Sequence, residues 1–294
     1  MLVAHSSARN AAGEFERARQ LLAKHGVDVR KASLVASDKK LRKTVRRAIE
    51  KRPDVVIVAG GDGTLTKIVG EFAGREAVLG VLPLGTGNSF AQSLGVGVDL
   101  ERAVETIAHG LVARVDLGRI DGEYFANFAT LGFASDVARD AAPILKGLIG
   151  KLAYLVAGIV PFIRARPFAC KIKAGGHSVE FETYQVIVAS GRYFGSSPVA
   201  PGASIESGKL ALFATSDAGP IDLVKTYLAL LTDRQSLMPN AHIFEAKSIK
   251  IRTRPRQLVA VDGSMFGRTP VRFGVAPKAL RVLVPGTPPG PKTP

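Results

Sequence analysis

The chain has 294 residues, of which 46% are hydrophobic, and it contains one cysteine, Cys170. This apolar content favours a packed core and excludes a disordered chain, while a lone cysteine excludes an intrachain disulfide framework. The formal net charge of +15 is typical of proteins that bind polyanions, either nucleic acid or an anionic membrane, and a solvated helix face is the alternative interpretation of the basic runs.

The first part of the chain alternates short apolar runs with amphipathic segments. The predicted elements are a strand at Met1–Ala4, a helix at Glu14–His25, a strand at Val27–Leu34, a basic helix capped by Ser37 or Asp38, strands at Val55–Val58 and Ala77–Leu82, each followed by a helix, and a helix capped by Asp99. Such alternation predicts a parallel sheet covered by helices.

The pattern changes near residue 115, where strand signals and hairpin turns replace most helices. The predicted strands are Val112–Ile120, Tyr124–Phe133, Phe168–Ala174, His177–Phe181, Gln185–Ala189 and Leu210–Ala214. Asp121-Gly122 and Gly175-Gly176 are dipeptides typical of short hairpin turns. This part of the sequence predicts an antiparallel β domain, and the Pro- and Gly-rich end at 286–294 is expected to be disordered.

Two helical segments interrupt the β pattern, and neither predicts a membrane span. The segment 144–163 is largely apolar, but its uncharged run 152–163 is shorter than the roughly 20 residues that cross a bilayer. The sequence leaves open whether this helix lies at a lipid entrance or covers the core. The segment 221–231 is amphipathic and is expected to be structural. The N-terminal residues lack signal-peptide features, which favours a cytoplasmic location.

The strongest motif is DVVIVAGGDGTL at residues 54–65, an apolar run followed by glycines and a helical pattern. Glycine has no Cβ, so main-chain N–H groups can approach an anion closely, and a helix N-terminus adds partial positive charge. A carboxylate in this loop, Asp62, would repel phosphates unless it holds Mg²⁺ or takes a proton. The alternative is a glycine turn with a solvated or capping aspartate.

A second loop of the same design, PLGTGNSFA, occupies residues 83–91. Thr86 offers a hydroxyl to a phosphate, and Asn88 is suited to cap the next helix. Loops that follow adjacent parallel strands meet at one edge of the sheet, where α/β proteins bind ligands.

The two loops together resemble the diacylglycerol kinase catalytic-domain family, in particular its bacterial soluble lipid kinases. Weaker matches are VDLG at 115–118, FANFATLGF at 125–133, GKLAYLVAG at 150–158 and VDG at 261–263. The resemblance implies an α/β domain of the phosphofructokinase and NAD-kinase type at residues 1–114, completed by a C-terminal strand at 277–285. It also implies that residues 115–276 form a β-sandwich domain for the lipid substrate.

The resemblance further implies roles for individual residues. ATP would lie over the two loops, and the implied nucleotide-binding residues are Ser33, Gly60, Gly61, Asp62, Gly63, Thr64, Gly85, Thr86 and Asn88. Asp62 would be one of the ligands that hold Mg²⁺. The implied catalytic residues are Asp62, Asp116, Asp262 and Ser264, and Asp136 is a further acidic candidate. For Asp116 and Asp136, a turn or cap role is the alternative.

Two positions depart from the family pattern. The family usually has a glutamate, taken as the catalytic base, where this chain has Ser264, and a serine hydroxyl does not accept a proton at neutral pH as a carboxylate does. Either Asp262 or Asp62 takes that role, or the enzyme is slow, or the chain is not a kinase. Ser207 stands where an aspartate of a structural Mg²⁺ site is usual, so that second metal is not expected, with Glu206 as the alternative carboxylate.

We therefore expect an ATP-dependent lipid kinase that phosphorylates the primary hydroxyl of diacylglycerol or a similar lipid. The alternatives are another acceptor (a sphingoid base, phosphatidylglycerol or NAD) or a catalytically impaired protein that binds lipid or nucleotide. The expected partners are ATP and a lipid at an anionic membrane surface, which the protein would visit from the cytoplasm. No nucleic-acid motif with interleaved aromatics is present, and a homodimer is a further candidate assembly.

Overall fold

The computed structural model describes residues 1–6, 11–85, 87–133, 135–136, 165–191, 193–194, 197–198, 204–216 and 240–286. The helices expected at 144–163 and 221–231, the Thr86 site and the tail from 287 lie outside these residues. The chain forms two compact units: unit 1 is Met1–Leu117 with the chain from Ala276 onward, and unit 2 is Gly118–Val275.

Unit 1 has alternating strands and helices. They are β1 (Leu2–His5), α1 (Ala11–Lys24), β2 (Ala32–Val35), α2 (Asp38–Glu50), β3 (Val56–Gly60), α3 (Asp62–Phe72), β4 (Val78–Pro83), α4 (Ser89–Ser93), α5 (Leu100–His109) and the start of β5 (Leu111–Ile120). The strand order is β2-β1-β3-β4, and all three pairings are parallel. Asp99 caps α5 and Ser37 caps α2, which confirms two of the predicted helix caps.

Unit 2 contains mainly antiparallel strands. They are β6 (Glu123–Phe125), β7 (Phe128–Gly132), β8 (Phe168–Ala174), β9 (His177–Thr183), β10 (Gln185–Ala189), β11 (Tyr193–Phe194), β12 (Ser197–Pro198), β13 (Leu210–Thr215), β14 (Ala241–Ala246), β15 (Ser248–Arg254), β16 (Leu258–Val261), β17 (Ser264–Arg268) and β18 (Val271–Val284). The strand β18 enters unit 1, where Arg281 and Val282 pair in parallel with β4.

Two layers of strands enclose the core of unit 2. One layer has the order β14-β13-β10-β7-β16-β17, and the other contains the first part of β18 followed by β15, β8 and β9. Buried side chains of both layers form one cluster, in which Leu131 and Leu212 of the first layer join Cys170, Ile249 and Phe273 of the second. This is a β-sandwich, and the predicted fold class, an α/β domain followed by an antiparallel β domain, is confirmed.

Two predicted strands differ from those observed. The strand expected at Val27–Leu34 begins only at Ala32, and the strand expected at Tyr124–Phe133 is divided into β6 and β7. The division has a physical cause, because the N–H groups of Ala126, Asn127 and Phe128 donate to the carboxylate of Asp262. No helix within the described residues is long and apolar enough to span a membrane.

Candidate active site

The first glycine loop joins a buried strand to a helix. Every residue of β3 is buried, and Gly61 follows as an N-cap residue with no side chain to cap α3. The main-chain oxygen of Gly61 accepts the N–H groups of Thr64 and Leu65 at 2.9 and 3.1 Å. Among the described residues, the N–H groups of Gly61 and Gly63 have no acceptor, so the start of α3 presents donors and partial positive charge.

The second glycine loop touches the first through its backbone. A Cβ placed on Gly85 would come within 2.5 Å of the Gly61 Cα, so a side chain at this position would force the two loops apart. The N–H of Leu84 donates to the oxygen of Gly60 at 3.2 Å. Glycines at positions 61 and 85 therefore permit the contact that brings both loops to one place in unit 1.

Asn88 holds the second loop closed. Its backbone is left-handed, with φ of 50°, and its buried side chain contacts Gly85 twice. Asn88 Oδ1 accepts the N–H of Gly85 at 2.9 Å, and Nδ2 donates to the Gly85 oxygen at 2.8 Å. The expectation that Asn88 caps α4 with its side chain is wrong, because these bonds turn the amide towards Gly85.

Asp62 supplies the cap that Asn88 does not. Asp62 Oδ2 accepts the N–H of Ser89 and Oδ1 accepts the N–H of Phe90, both at 3.0 Å. Asp62 is thus the first residue of α3 in the first loop, and its carboxylate caps the start of α4 after the second loop. The sequence suggested a capping aspartate as an alternative to a metal ligand, but gave no signal that the capped helix would be the following one.

A charged cluster that the sequence did not predict lies at the beginning of α2. Lys67 Nζ donates to Asp38 Oδ1 at 2.8 Å, and His5 Nε2 lies 3.3 Å from the same oxygen. The hydrogen bond from Lys67 is the main cause that holds the pKa of Asp38 below its ordinary value. The charge of the Lys67 ammonium is therefore compensated locally by Asp38.

Two further predicted residues lie on other strands of unit 1. Asp116 is buried on β5, and its Oδ1 accepts the N–H of Lys278 at 2.8 Å. Ser33 lies on β2, opposite Val3, two residues before the carboxyl end of that strand. Thr86 lies outside the described residues.

Asp262 and Ser264 belong to unit 2, where Asp262 lies in a tight turn and Ser264 directly follows it. The backbone φ angles of Asp262 and Gly263 are 45° and 80°, as in the two-residue turn that Asp-Gly favours between β16 and β17. The Asp262 carboxylate is buried and accepts N–H groups of Ala126, Asn127 and Phe128. Ser264 is exposed at the start of β17.

These contacts give Asp262 a positioning role that sequence reasoning missed. The Asp-Gly dipeptide was the available signal for the turn, but the three N–H donors come from residues more than a hundred positions earlier. The three N–H groups occupy most of the acceptor positions of the Asp262 carboxylate, which offers about four. Its observed contacts therefore argue against the option that Asp262 substitutes for the missing glutamate.

The region around Ser207 forms a turn of its own. Ser207 Oγ donates towards the main-chain oxygens of Ser204 and Lys209, both at 3.0 Å.

Asp136, the further acidic candidate, follows Ser135, whose hydroxyl donates to the oxygen of Thr130 at 2.6 Å. Within the described residues, no three His, Cys, Asp or Glu side chains are grouped to hold a metal ion.

Two family models match the chain, one in each half. The model of the diacylglycerol kinase catalytic domain matches residues 1–120, and that of the YegS C-terminal NAD kinase β-sandwich-like domain matches residues 127–284. A diacylglycerol kinase from Bacillus subtilis is 28% identical over 79% of this chain and 78% of its own length. A diacylglycerol kinase from Staphylococcus saprophyticus is 26% identical over 81% of this chain and 79% of its own length.

Solved structures agree with these matches. A crystal structure of a proposed diacylglycerol kinase from Bacillus anthracis superposes with a TM-score of 0.81 at 25% identity, covering 96% of this chain and 94% of that one. The glycine loops of an α/β unit and the family matches together define a phosphotransferase of the kinase class. The chain belongs to the diacylglycerol kinase catalytic-domain family. Membership of this kinase family implies ATP as the phosphoryl donor.

Proposed function

We propose that the chain is an ATP-dependent lipid kinase that transfers the γ-phosphoryl group to the primary hydroxyl of diacylglycerol or a similar lipid. The observation that carries the proposal is the pair of glycine loops that meet at the start of α3. The relatives from Bacillus subtilis and Staphylococcus saprophyticus are named diacylglycerol kinases, which supports diacylglycerol as the acceptor. We place this activity in the cytoplasm, at the inner face of an anionic membrane.

The phosphates of ATP would lie over Gly60 to Thr64 and Gly85 to Asn88. Close approach of phosphate oxygens requires main-chain donors without side chains in front of them, and the N–H groups of Gly61 and Gly63 meet this requirement. The positive end of α3 adds to the attraction. Ser33 and Thr86 are retained as nucleotide contacts in this proposal.

Mg²⁺ fits the proposed site as an ion shared between ATP and a single carboxylate. A carboxylate offers about four acceptor positions, so the bonds from Ser89 and Phe90 to Asp62 are compatible with a metal contact. Mg²⁺ is commonly bound by one or two carboxylates together with substrate phosphates. When bound, it would neutralise charge on the phosphates.

The reaction forms a bond between the lipid hydroxyl oxygen and the γ-phosphorus and breaks the bond to the β–γ bridging oxygen. ADP leaves, and the hydroxyl proton is released. Because the transition state is loose, positioning and charge neutralisation contribute most, and the proton is lost late. The chain would therefore retain activity without a glutamate at position 264, at a reduced rate.

A binding-only protein is the second candidate, and Ser264 is the observation that favours it. The exposed hydroxyl of Ser264 is not a base, and the neighbouring Asp262 already accepts three N–H groups. A protein that binds ATP and lipid without turnover would have this arrangement. A sphingoid base, phosphatidylglycerol or NAD as acceptor is separated from diacylglycerol by the identity of the product.

The test is transfer of labelled γ-phosphate from ATP to a panel of these acceptors in anionic vesicles with Mg²⁺. We expect labelled phosphatidic acid from wild type, none from Asp62→Asn, and normal product from the control Asp99→Asn, which alters a helix cap in the same unit. No product from any acceptor while ATP still binds would replace the kinase proposal with the binding-only one. The homodimer stays a prediction that size-exclusion chromatography tests.

A further inference from the structure

The outward face of one sheet in unit 2 carries cations that the site described above does not use. We name it the basic sheet face. It consists of five exposed side chains on three neighbouring strands: Lys171, Lys173, Lys250, Arg252 and Arg272. They alternate along their strands with residues of the sandwich core, such as Ile172 and Ile251, so their side chains point away from the core.

The strand register places these cations directly opposite one another. Lys250 on β15 pairs with Arg272 on β18 at one side and with Lys173 on β8 at the other. In the next row, Arg252 pairs with Lys171. Like charges that face each other across neighbouring strands destabilise a sheet. The cluster therefore opposes folding, and an anionic ligand that neutralised it would stabilise the sheet.

Acidic side chains lie at the two margins of this face. Glu180 on the edge strand β9 pairs with Lys171 at 3.0 Å, and Asp121 accepts the main-chain N–H of Arg272 at 3.1 Å. Between these margins, Lys173, Lys250 and Arg252 have no ion-pair partner within the part of the chain that the structure describes. Three uncompensated cations thus remain at the centre of the face.

We propose that the basic sheet face docks the protein on the surface of an anionic membrane. The inference rests on the proposed function, since a lipid kinase must reach a substrate that lies in a bilayer. A broad sheet with rows of lysine and arginine is complementary to a planar array of anionic headgroups. The aromatic side chains of these strands, Phe168 and Phe273, are buried in the sandwich core, so no ring is exposed among these cations, whereas proteins that bind single-stranded nucleic acid stack bases on aromatic rings.

The test compares two triple variants that remove the same charge from two different surfaces. The first carries Lys173→Gln, Lys250→Gln and Arg252→Gln on the basic sheet face. The control carries Lys43→Gln, Arg47→Gln and Lys51→Gln, three exposed cations on and just after α2. Binding is measured by sedimentation with phosphatidylcholine vesicles that do or do not contain phosphatidylserine.

We expect the sheet-face triple to bind phosphatidylserine vesicles about a hundredfold more weakly, since each well-placed cation strengthens binding about fivefold. The control should lose far less, and the sheet-face triple should melt at the same temperature as wild type or higher. Equal losses in both triples, or unchanged binding of the sheet-face triple, would overturn the proposal. A loss confined to RNA binding would also overturn it.

Vesicle binding needs no turnover, so the docking proposal and the proposed function can be tested independently. With a water-soluble short-chain diacylglycerol as acceptor, the sheet-face triple should phosphorylate as fast as wild type. If wild type phosphorylates no lipid while the sheet-face triple still loses vesicle binding, the proposed function fails and the docking surface stands. If the sheet-face triple is also slow on the soluble acceptor, the face acts on catalysis and the docking proposal is wrong.

Discussion

Asp62 and Phe90 stand 28 positions apart, and Asp62 Oδ1 accepts the main-chain N–H of Phe90 at 3.0 Å. The second oxygen of the same carboxylate accepts the N–H of Ser89. The side chain that the family resemblance assigns to Mg²⁺ therefore also connects the two glycine loops. A change at Asp62 should affect the shape of the site as well as its chemistry.

The Asp62→Asn variant tests this double role. An asparagine has one acceptor oxygen, so one of the two N–H groups at the start of α4 would face the amide nitrogen. We expect the free energy of unfolding to fall by about 1–2 kcal/mol, as for loss of a helix cap, together with loss of phosphoryl transfer. Amide hydrogen exchange at Ser89 and Phe90 should become faster.

The matched control for this prediction is Asp99→Asn. Asp99 Oδ1 accepts the N–H of Arg102 at 2.9 Å as the cap of α5, so the substitution alters one cap without touching the glycine loops. It should cost less stability and leave phosphoryl transfer intact. Unchanged exchange at Ser89 and Phe90 in Asp62→Asn would show that the carboxylate does not hold α4.

A pair of glycine substitutions separates the shape of the loops from their contact with ATP. An alanine Cβ at Gly85 would lie 2.5 Å from the Gly61 Cα, whereas one at Gly63 has no neighbour within 4 Å. Gly85→Ala should therefore destabilise unit 1 by about 1–3 kcal/mol, the usual cost of overpacking. Gly63→Ala should keep or slightly raise stability, because alanine favours a helix more than glycine does.

The same pair is informative about ATP binding. If phosphates approach the N–H of Gly63 closely, Gly63→Ala should raise the KM for ATP at least tenfold in a fully folded protein. Thermal melts and ATP titrations of both variants make the comparison. A normal KM for Gly63→Ala would place the phosphates elsewhere.

Restoring a carboxylate at position 264 tests the departure from the family pattern. Ser264 is exposed at the start of β17, so a longer side chain fits without disturbing the core. If this position serves the acceptor hydroxyl, Ser264→Glu should raise kcat by about 10²–10⁴-fold, the usual contribution of a general base. The assay is labelled phosphate transfer to diacylglycerol across a range of pH.

Ser264→Gln is the control for this prediction, since it has the shape of glutamate without the charge. Only the glutamate variant should gain rate, and its gain should fade as the pH falls through the titration of the carboxylate. Equal rates for wild type and Ser264→Glu in an active enzyme would mean that the proton leaves by another route.

The sequence predicted the elements and the glycine loops because these depend on local patterns. The buried run at Val56–Gly60 and the cap at Asp99 are visible as apolar and capping residues in adjacent positions. The contacts of Asp262 with residues 126–128 are not visible in this way, since they join segments 134 to 136 positions apart. Which donors a buried carboxylate meets is decided by the packing of the sandwich.

The misassigned cap of α4 has a similar origin. Asn88 has the right residue type at the N-cap position, and a local rule assigns its side chain to the following N–H groups. The Asn88 amide instead makes two hydrogen bonds to Gly85, and the carboxylate of Asp62 from the preceding loop accepts the N–H groups at the start of α4. Tertiary contacts between the two loops therefore override the local capping preference of Asn88.

The ion pair between α2 and α3 makes the stability of unit 1 depend on pH. Arg46 donates two hydrogen bonds to Glu71, at 2.9 and 3.0 Å, and this bonding is the main cause that holds the pKa of Glu71 below its ordinary value of 4.5. A lowered folded-state pKa contributes stability above pH 4.5 that is lost as the pH falls through the folded-state value.

Glu71→Gln should therefore be less stable than wild type at neutral pH, and the two stability curves should converge in acid. The gap should be small and should shrink with salt, since the Arg46 side chain is 56% exposed. Urea unfolding at a series of pH values measures it. The variant Glu16→Gln, which removes an exposed pair with Arg19 on α1, should show a smaller gap. A gap that persists unchanged at low pH would contradict the assignment.

The single cysteine provides a test of the core of unit 2. Burial raises the pKa of the Cys170 thiol to about 12, and the side chain lies in the sandwich core beside residues of both layers. At pH 8 such a thiol is thiolate for roughly one part in ten thousand, and the thiolate is the reactive form. We expect no reaction with a thiol-specific disulfide reagent in the native protein and one equivalent in guanidinium chloride.

The rate of labelling then reports opening of the sandwich. If Cys170 reacts only when unit 2 opens, the core substitution Leu212→Ala should accelerate labelling, because it removes buried contacts from the opposite layer. Gly85→Ala, which perturbs unit 1, should accelerate it much less. Rapid labelling of the native wild-type protein would contradict the burial of Cys170, and equal acceleration by both variants would mean that the two units unfold together.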